Sequence, residues 1–194
     1  MVEFMSGKFS LAFVTTNKHK FEEVREVLAG FPVELEWVRD SYPEDHDATL
    51  EEIAMAGAKA LAERLNRAVV VEDTGLFFSA FSGFPGILPK FVFNTLGYRG
   101  IMKLLEGEER GAYFKTVAAI ALPAGEVKLF EGIMKGTITA EVFDKDKDAM
   151  PYDRIFIPDG KDIVISRMSM EEKNSFSQRA QAFRALGDYI AGIK

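Results

Sequence analysis

Phe9-Ser10-Leu11-Ala12-Phe13-Val14-Thr15-Thr16-Asn17-Lys18-His19-Lys20 is the stretch whose reading decides the fold. Phe9 to Val14 is a short apolar run with aromatic and branched side chains, which predicts a buried strand ending at Thr15-Thr16-Asn17. From Lys18 to Leu28 the apolar residues Phe21, Val24, Val27 and Leu28 fall on one helical face, and Gly30 supplies a stop. A strand that turns directly into a helix is the opening unit of an α/β fold.

Working outward, Val33 to Val38 alternates as a second strand, and Thr49-Leu50-Glu51-Glu52 has the capping-box pattern before an alanine-rich helix to about Leu65. Ala68 to Val71 predicts a strand whose carboxyl end is Glu72-Asp73-Thr74-Gly75, followed by a packed Phe/Gly/Pro loop to Lys90. Helical stretches are expected at Lys90–Thr95 and Gly100–Glu106, and strands at Ala112–Leu122 and Val127–Ile133, with bends or bulges at Gly132 and Gly136. Asp144 to Asp148 reads as a solvated loop, and a last helix runs from about Ser177 to Ala191. This order of elements predicts an α/β fold with a mixed sheet, in a single domain over residues 1–194.

Composition narrows the function classes. The 194 residues are 47% hydrophobic and 28% charged, a globular balance. Zero cysteines exclude disulfides, thiolate metal sites and cysteine nucleophiles. No run of about 18 apolar residues occurs and the start lacks a signal pattern, so a cytoplasmic protein without a membrane partner is expected. A net charge of −6 argues against a nucleic-acid partner bound through a broad cationic surface. The two histidines, His19 and His46, have no zinc-site spacing, and no serine sits in a Gly-x-Ser-x-Gly elbow.

Three stretches carry chemistry. Thr15, Thr16, Asn17 and Lys20 lie where backbone N–H groups, hydroxyls and an ammonium would receive phosphate, although a plain helix cap has the same composition. Glu72 and Asp73 form an acidic pair without a lysine or arginine beside it, suited to Mg2+ shared with a polyphosphate, and one of the two carboxylates would then orient or deprotonate water. The alternative is an ordinary turn after a strand. Lys173 and Arg179, in the polar run entering the last helix, would converge on an anion, or belong to a capped surface helix.

Together these motifs resemble the inosine triphosphate pyrophosphatase family, the XTP/dITP diphosphatases. Thr15-Thr16-Asn17-Lys18-His19-Lys20 is similar to the family's Thr-x-Asn-x-x-Lys loop, and Tyr42-Pro43-Glu44 to the segment carrying a metal-binding glutamate. Val71-Glu72-Asp73-Thr74-Gly75-Leu76 matches its acidic motif, with Phe84-Pro85-Gly86 and Lys90 following at the expected distance. Tyr152-Asp153 resembles the base-pocket motif, and Glu172-Lys173-Asn174 with Ser177-Gln178-Arg179 its closing pair. Met150-Pro151, Leu88-Pro89, Arg154 and Gln178 depart from the pattern, Gln178 standing where the family has histidine.

The resemblance implies an elongated, two-lobed domain around a central mixed sheet with flanking helices and a cleft, and a homodimer. It implies hydrolysis of ITP, dITP and XTP to the monophosphate and pyrophosphate. Asp73, with Glu72 beside it, is then catalytic, and Glu44 and Asp73 hold Mg2+. Thr15, Thr16, Asn17, Lys20, Thr74, Lys90, Tyr152, Asp153, Lys173, Gln178 and Arg179 bind substrate. The alternatives are a pyrophosphatase for another modified nucleotide, or a nucleotide-binding protein without turnover.

Overall fold

Strand β2 (Lys8–Val14) leads through Asn17 into helix α1 (Lys18–Leu28), the unit expected from sequence, in a computed structural model that describes residues 4–5, 7–43, 45–123 and 125–192. Chain order continues with β3 (Val33–Val38), α2 (Leu50–Leu65), β4 (Val69–Phe78), β5 (Pro85–Gly86) and α3 (Pro89–Leu104). Then come β6 (Gly111–Ala121), β7 (Val127–Ile138), β8 (Phe156–Pro158), α4 (Met170–Phe176) and α5 (Gln178–Gly192), while β1 (Phe4–Met5) precedes them all. The Thr49–Glu52 capping box forms as read, each side chain satisfying the other's backbone N–H.

Among the described residues one eight-stranded mixed sheet runs β1-β2-β4-β6-β7-β8, with β3 on the free side of β2 and β5 on β4. Strand β2 is parallel to β3 and β4, whereas β4, β6 and β7 form long antiparallel ladders. The sheet's odd/even alternation then sorts the core. Phe9, Leu11, Phe13, Val70, Ala118 and Ile120 meet Val24 and Leu28 of α1 and Phe183 and Leu186 of α5. Ala12, Val14, Val69, Val71, Val117 and Ala119 meet α2 through Ala54, Ala58 and Leu61.

The second lobe lies further along the same three strands. Leu76, Phe78, Phe114 and Met134 pack with Val92 and Ile101 of α3 and with Tyr152, Ile155 and Phe156. On the even-numbered face of β4, Val70 belongs to the first lobe, and Leu76 and Phe78 to the second. Glu72 and Thr74 fill the interval between them.

Three expectations change. The strand after Ala68 does not stop at the acidic pair: β4 continues to Phe78, paired with β6 throughout, so Glu72 and Asp73 are mid-strand. Only the parallel neighbour ends there, since β2 pairs with β4 at Val69 and Val70. Gly132 and Gly136 make no bulge, because β6 and β7 keep unbroken register across them. Both are sites of close approach: a Cβ would stand 2.0 Å from the Gln178 carbonyl oxygen at Gly132 and 2.3 Å from that of Ile157 at Gly136. The polar run before the last helix contains its own helix, α4, capped by Ser169 and Glu172. The two helical stretches expected after Lys90 are both present within α3, separated by a break at Gly97, whose φ is 58°.

Candidate active site

A cavity of about 330 Å³ occupies the interval between the lobes. One end is polar, with Asn17, Lys20, Thr74, Lys173, Gln178 and Arg179, and the other is apolar, with Phe93, Phe114, Met134, Met150, Pro151, Tyr152 and Ile165. Of the residues singled out from sequence, Asn17, Lys20, Thr74, Lys90, Tyr152, Asp153, Lys173, Gln178 and Arg179 all line it. Thr15 and Thr16, just before Asn17, and the acids Glu72 and Asp73 are not among its lining residues. Glu44 lies outside the described residues.

The polar end is built where β2 stops. Asn17 caps α1, its Oδ1 accepting from the N–H groups of His19 at 3.0 Å and Lys20 at 3.4 Å, while its own N–H donates to Thr15 Oγ1. One turn into α1, Lys20 crosses to β4 and pairs with the Glu72 carboxylate.

The acidic pair therefore does have cationic neighbours, a second correction to the local reading. Besides Lys20, Arg179 reaches Glu72 with Nε at 3.3 Å and Nη2 at 3.4 Å, and Thr74 Oγ1 donates to it at 2.9 Å. Burial acts to raise the Glu72 carboxyl, but Arg179 and Lys20 outweigh it and pull its pKa down to about 2.

Lys173 and Arg179 are likewise not solvated cations on a surface helix. Arg179 is 2% exposed, and its Nη1 lies 2.5 Å from Glu23 Oε2. Lys173 Nζ donates to Glu23 Oε1 and to Asp153 Oδ2, both at 2.7 Å. Cations and anions alternate along Lys20, Glu72, Arg179, Glu23, Lys173 and Asp153, so the wall carries six charges and no net one.

Glu23 is the member that the sequence reading missed. Its one signal was an acid on the inward face of α1, a turn after Lys20 and beside Val24. Burial opposes its ionisation, yet Arg179 and Lys173 hold the carboxyl below its usual range. Asp153 differs: burial raises its carboxyl, and Lys173 only partly offsets this.

Asp73 faces the other side of β4, toward α2, where the Tyr42 hydroxyl donates to Oδ2 at 2.6 Å. It is half-buried. The two adjacent acids thus have unlike surroundings, Glu72 enclosed among cations and Asp73 at a partly open edge. Among the described residues no three or more carboxylates or histidines gather to hold a metal ion by themselves.

The apolar end is walled by rings. Tyr152 lies edge-on to Phe93, centroids 6.0 Å apart, and to Phe114 at 6.4 Å, and its hydroxyl donates to the Pro89 carbonyl at 3.0 Å. Arg154 does not enter the cavity: Nη1 donates to the Tyr98 hydroxyl at 3.0 Å, and that hydroxyl donates to the Pro151 carbonyl at 2.8 Å. The loop expected to be solvated is exposed from Lys145 to Asp148, and at its start Asp144 accepts from Ser166 Oγ at 2.7 Å.

The sequence matches the Ham1 family over residues 11–189. The chain belongs to the Ham1 family. This Ham1 chain is 42% identical over 181 residues to the dITP/XTP pyrophosphatase of Thermococcus kodakarensis, covering 93% of this chain and 96% of that one. It is 41% identical over 178 residues to the dITP/XTP pyrophosphatase of Methanopyrus kandleri, covering 91% and 94%. Among solved structures, its fold is similar to a HAM1 protein from Coxiella burnetii, with TM-score 0.76 and 23% identity over 93% of this chain and 98% of the other. A nucleoside-triphosphatase, dITP/XTP pyrophosphatase from Mycobacterium abscessus gives TM-score 0.67 and 27% identity, over 92% and 97%.

Proposed function

We propose that the protein hydrolyses non-standard purine nucleoside triphosphates, ITP, dITP and XTP, to the monophosphate and pyrophosphate. The observation that carries this is one cavity lined both by the polar groups Asn17, Lys20, Thr74 and Lys90 at and around the start of α1 and by the aromatic rings around Tyr152, the two chemistries of a nucleotide. The relatives' name, dITP/XTP pyrophosphatase, supports dITP and XTP among these.

Asn17, Lys20 and the backbone at Thr15 and Thr16 take the triphosphate, with Thr74 and Lys90 beside it. Tyr152 and Asp153 line the base, and Lys173, Gln178 and Arg179 add charge or base contacts beside them. Gln178 is 4% exposed and its Oε1 has no partner among the described residues, so it offers an acceptor for the N1–H of hypoxanthine or xanthine, a hydrogen that adenine lacks.

Of the two acids, Asp73 is the general base. Glu72 spends its lone pairs on Lys20, Arg179 and Thr74, so its work is to hold the cations in place. Water attacks the α-phosphorus and gives its proton to Asp73, the bond to the bridging oxygen breaks, and pyrophosphate leaves. By resemblance to the family, Asp73 and Glu44 would hold a magnesium ion, which typically takes one or two protein carboxylates and completes its shell with phosphate oxygens and water. Bound there, it would neutralise charge on the triphosphate oxygens.

The enzyme would work in the cytoplasm as a homodimer, the first where nucleotide pools lie and the second by resemblance to the family. No helix among the described residues is long and apolar enough to cross a membrane. Pyrophosphate release from ITP, dITP, XTP and the four ordinary ribonucleotides, with magnesium and with chelator, tests the proposal. Fast release confined to the first three, and lost with chelator, supports it; equal and slow release across the panel sinks it.

A further inference from the structure

The only tryptophan in the chain, Trp37, touches the phosphate loop through a single bond: its indole Nε1–H donates to the Thr15 carbonyl oxygen at 2.8 Å. The indole is otherwise fixed by stacking. Its ring lies 4.8 Å from Phe21 at an interplanar angle of 10°, and the Arg39 guanidinium covers it at 4.1 Å.

Strand geometry shows what the bond does. Strands β3 and β4 both pair with Ala12 and Phe13 of β2, so they lie on opposite sides of it. Along β2 the N–H groups alternate: Phe9 donates to Pro32 and Thr15 to Val38 on the β3 side, and Ala12 to Ala68 on the β4 side. Within a trans peptide the N–H points opposite to the C=O. With the Thr15 carbonyl turned to Trp37 of β3, the next N–H, that of Thr16, is therefore turned away from Trp37. On the side of β2 opposite β3, β4 runs on past the end of β2, carrying Glu72, Asp73 and Thr74.

We infer that Trp37 is a positioning residue: it fixes the Thr15–Thr16 peptide so that the Thr16 N–H faces the polyphosphate. This rests on the proposed placement of the triphosphate at Thr15 to Lys20. The donor addresses phosphate alone, so its loss weakens every triphosphate equally, whatever the base.

Trp37→Phe keeps a ring on Phe21 and under Arg39 but removes the N–H. It should raise KM for ITP and XTP, and the Kd of magnesium-bound inorganic tripolyphosphate measured by calorimetry, by one common factor of about ten, with kcat within about twofold. Phe21→Leu, which removes the stacked ring but leaves the N–H, should hold the Kd near that of wild type, and thermal midpoints report that each variant is folded. An unchanged Kd in Trp37→Phe, an equal rise in Phe21→Leu, or a Trp37→Phe effect that differs between bases would overturn the inference. Absence of pyrophosphate release by the wild type would instead overturn the proposed activity, and the tripolyphosphate measurement would still decide the role of Trp37.

Discussion

Glu23 and Arg179 meet inside the protein, Oε2 to Nη1 at 2.5 Å, and this contact fastens α1, which begins after the Asn17 cap, to α5. Both side chains are almost wholly out of water. Glu23→Ala would leave Arg179 short of one anion and Lys173 of another, and removing one partner of a buried pair costs about 3–5 kcal/mol. Urea unfolding at neutral pH measures it; a loss below about 1 kcal/mol would mean that the network relaxes around the gap.

Acid should reveal the same residue. The Glu23 carboxyl is held below its usual range in the folded protein, so its contribution is complete above the unfolded value of about 4.3 and is lost as pH falls through the lower folded value. Asp153 runs the other way, because burial makes it take up its proton while still folded. Glu23→Gln should accordingly flatten the decline of stability between about pH 5 and pH 3, read from urea midpoints at each pH. Parallel wild-type and variant curves would contradict this.

Asp73→Asn tests the assignment of the base. The amide oxygen can still accept from Tyr42, so the fold should persist with a thermal midpoint close to wild type. Turnover should fall by about 10²–10⁴, the usual contribution of a positioned base. A variant retaining most of its kcat would return the role to some other group.

Gly132→Ala asks whether the contact between β7 and α5 shapes the site. The added Cβ would stand 2.0 Å from the Gln178 carbonyl oxygen, so strand and helix must part, at a cost of about 1–3 kcal/mol. Because Gln178 and Arg179 open α5, KM for the nucleotide should rise together with the loss of stability. Destabilisation with an unaltered KM would separate the packing from the site.

Gln178→Ala bears on base choice. Deleting the buried acceptor should lower kcat/KM for ITP by about tenfold or more while leaving ATP nearly unaffected, so that the ratio between the two contracts. A ratio unchanged by the substitution would place base discrimination elsewhere in the cavity.

The elements that sequence reading located best are those set by neighbouring residues. The run Phe9 to Val14, the stripe Phe21, Val24, Leu28 and the Thr49–Glu52 box each carry their signal within a few positions, where periodicity and capping act. The motif residues were also legible one by one, from Asn17 to Arg179, and the cavity gathers most of them. Where β4 ends was not legible, because its continuation past Gly75 depends on the ladder with β6, some forty residues away in the chain. Nor were the two glycines of β7, whose missing side chains make room for α5 and β8.

The sequence by itself thus determined the strand-to-helix opening, the Asn17 cap at its junction and the presence of an acidic pair at Glu72 and Asp73. Tertiary structure decided where each acid points and what it meets. Alternation along β4 turns Glu72 into the interior and Asp73 toward α2, while α5 brings Arg179 to Glu72 across 107 residues and to Glu23 across 156. Charge pairing in the interior depends on distance in space, and no local pattern in the chain encodes that distance.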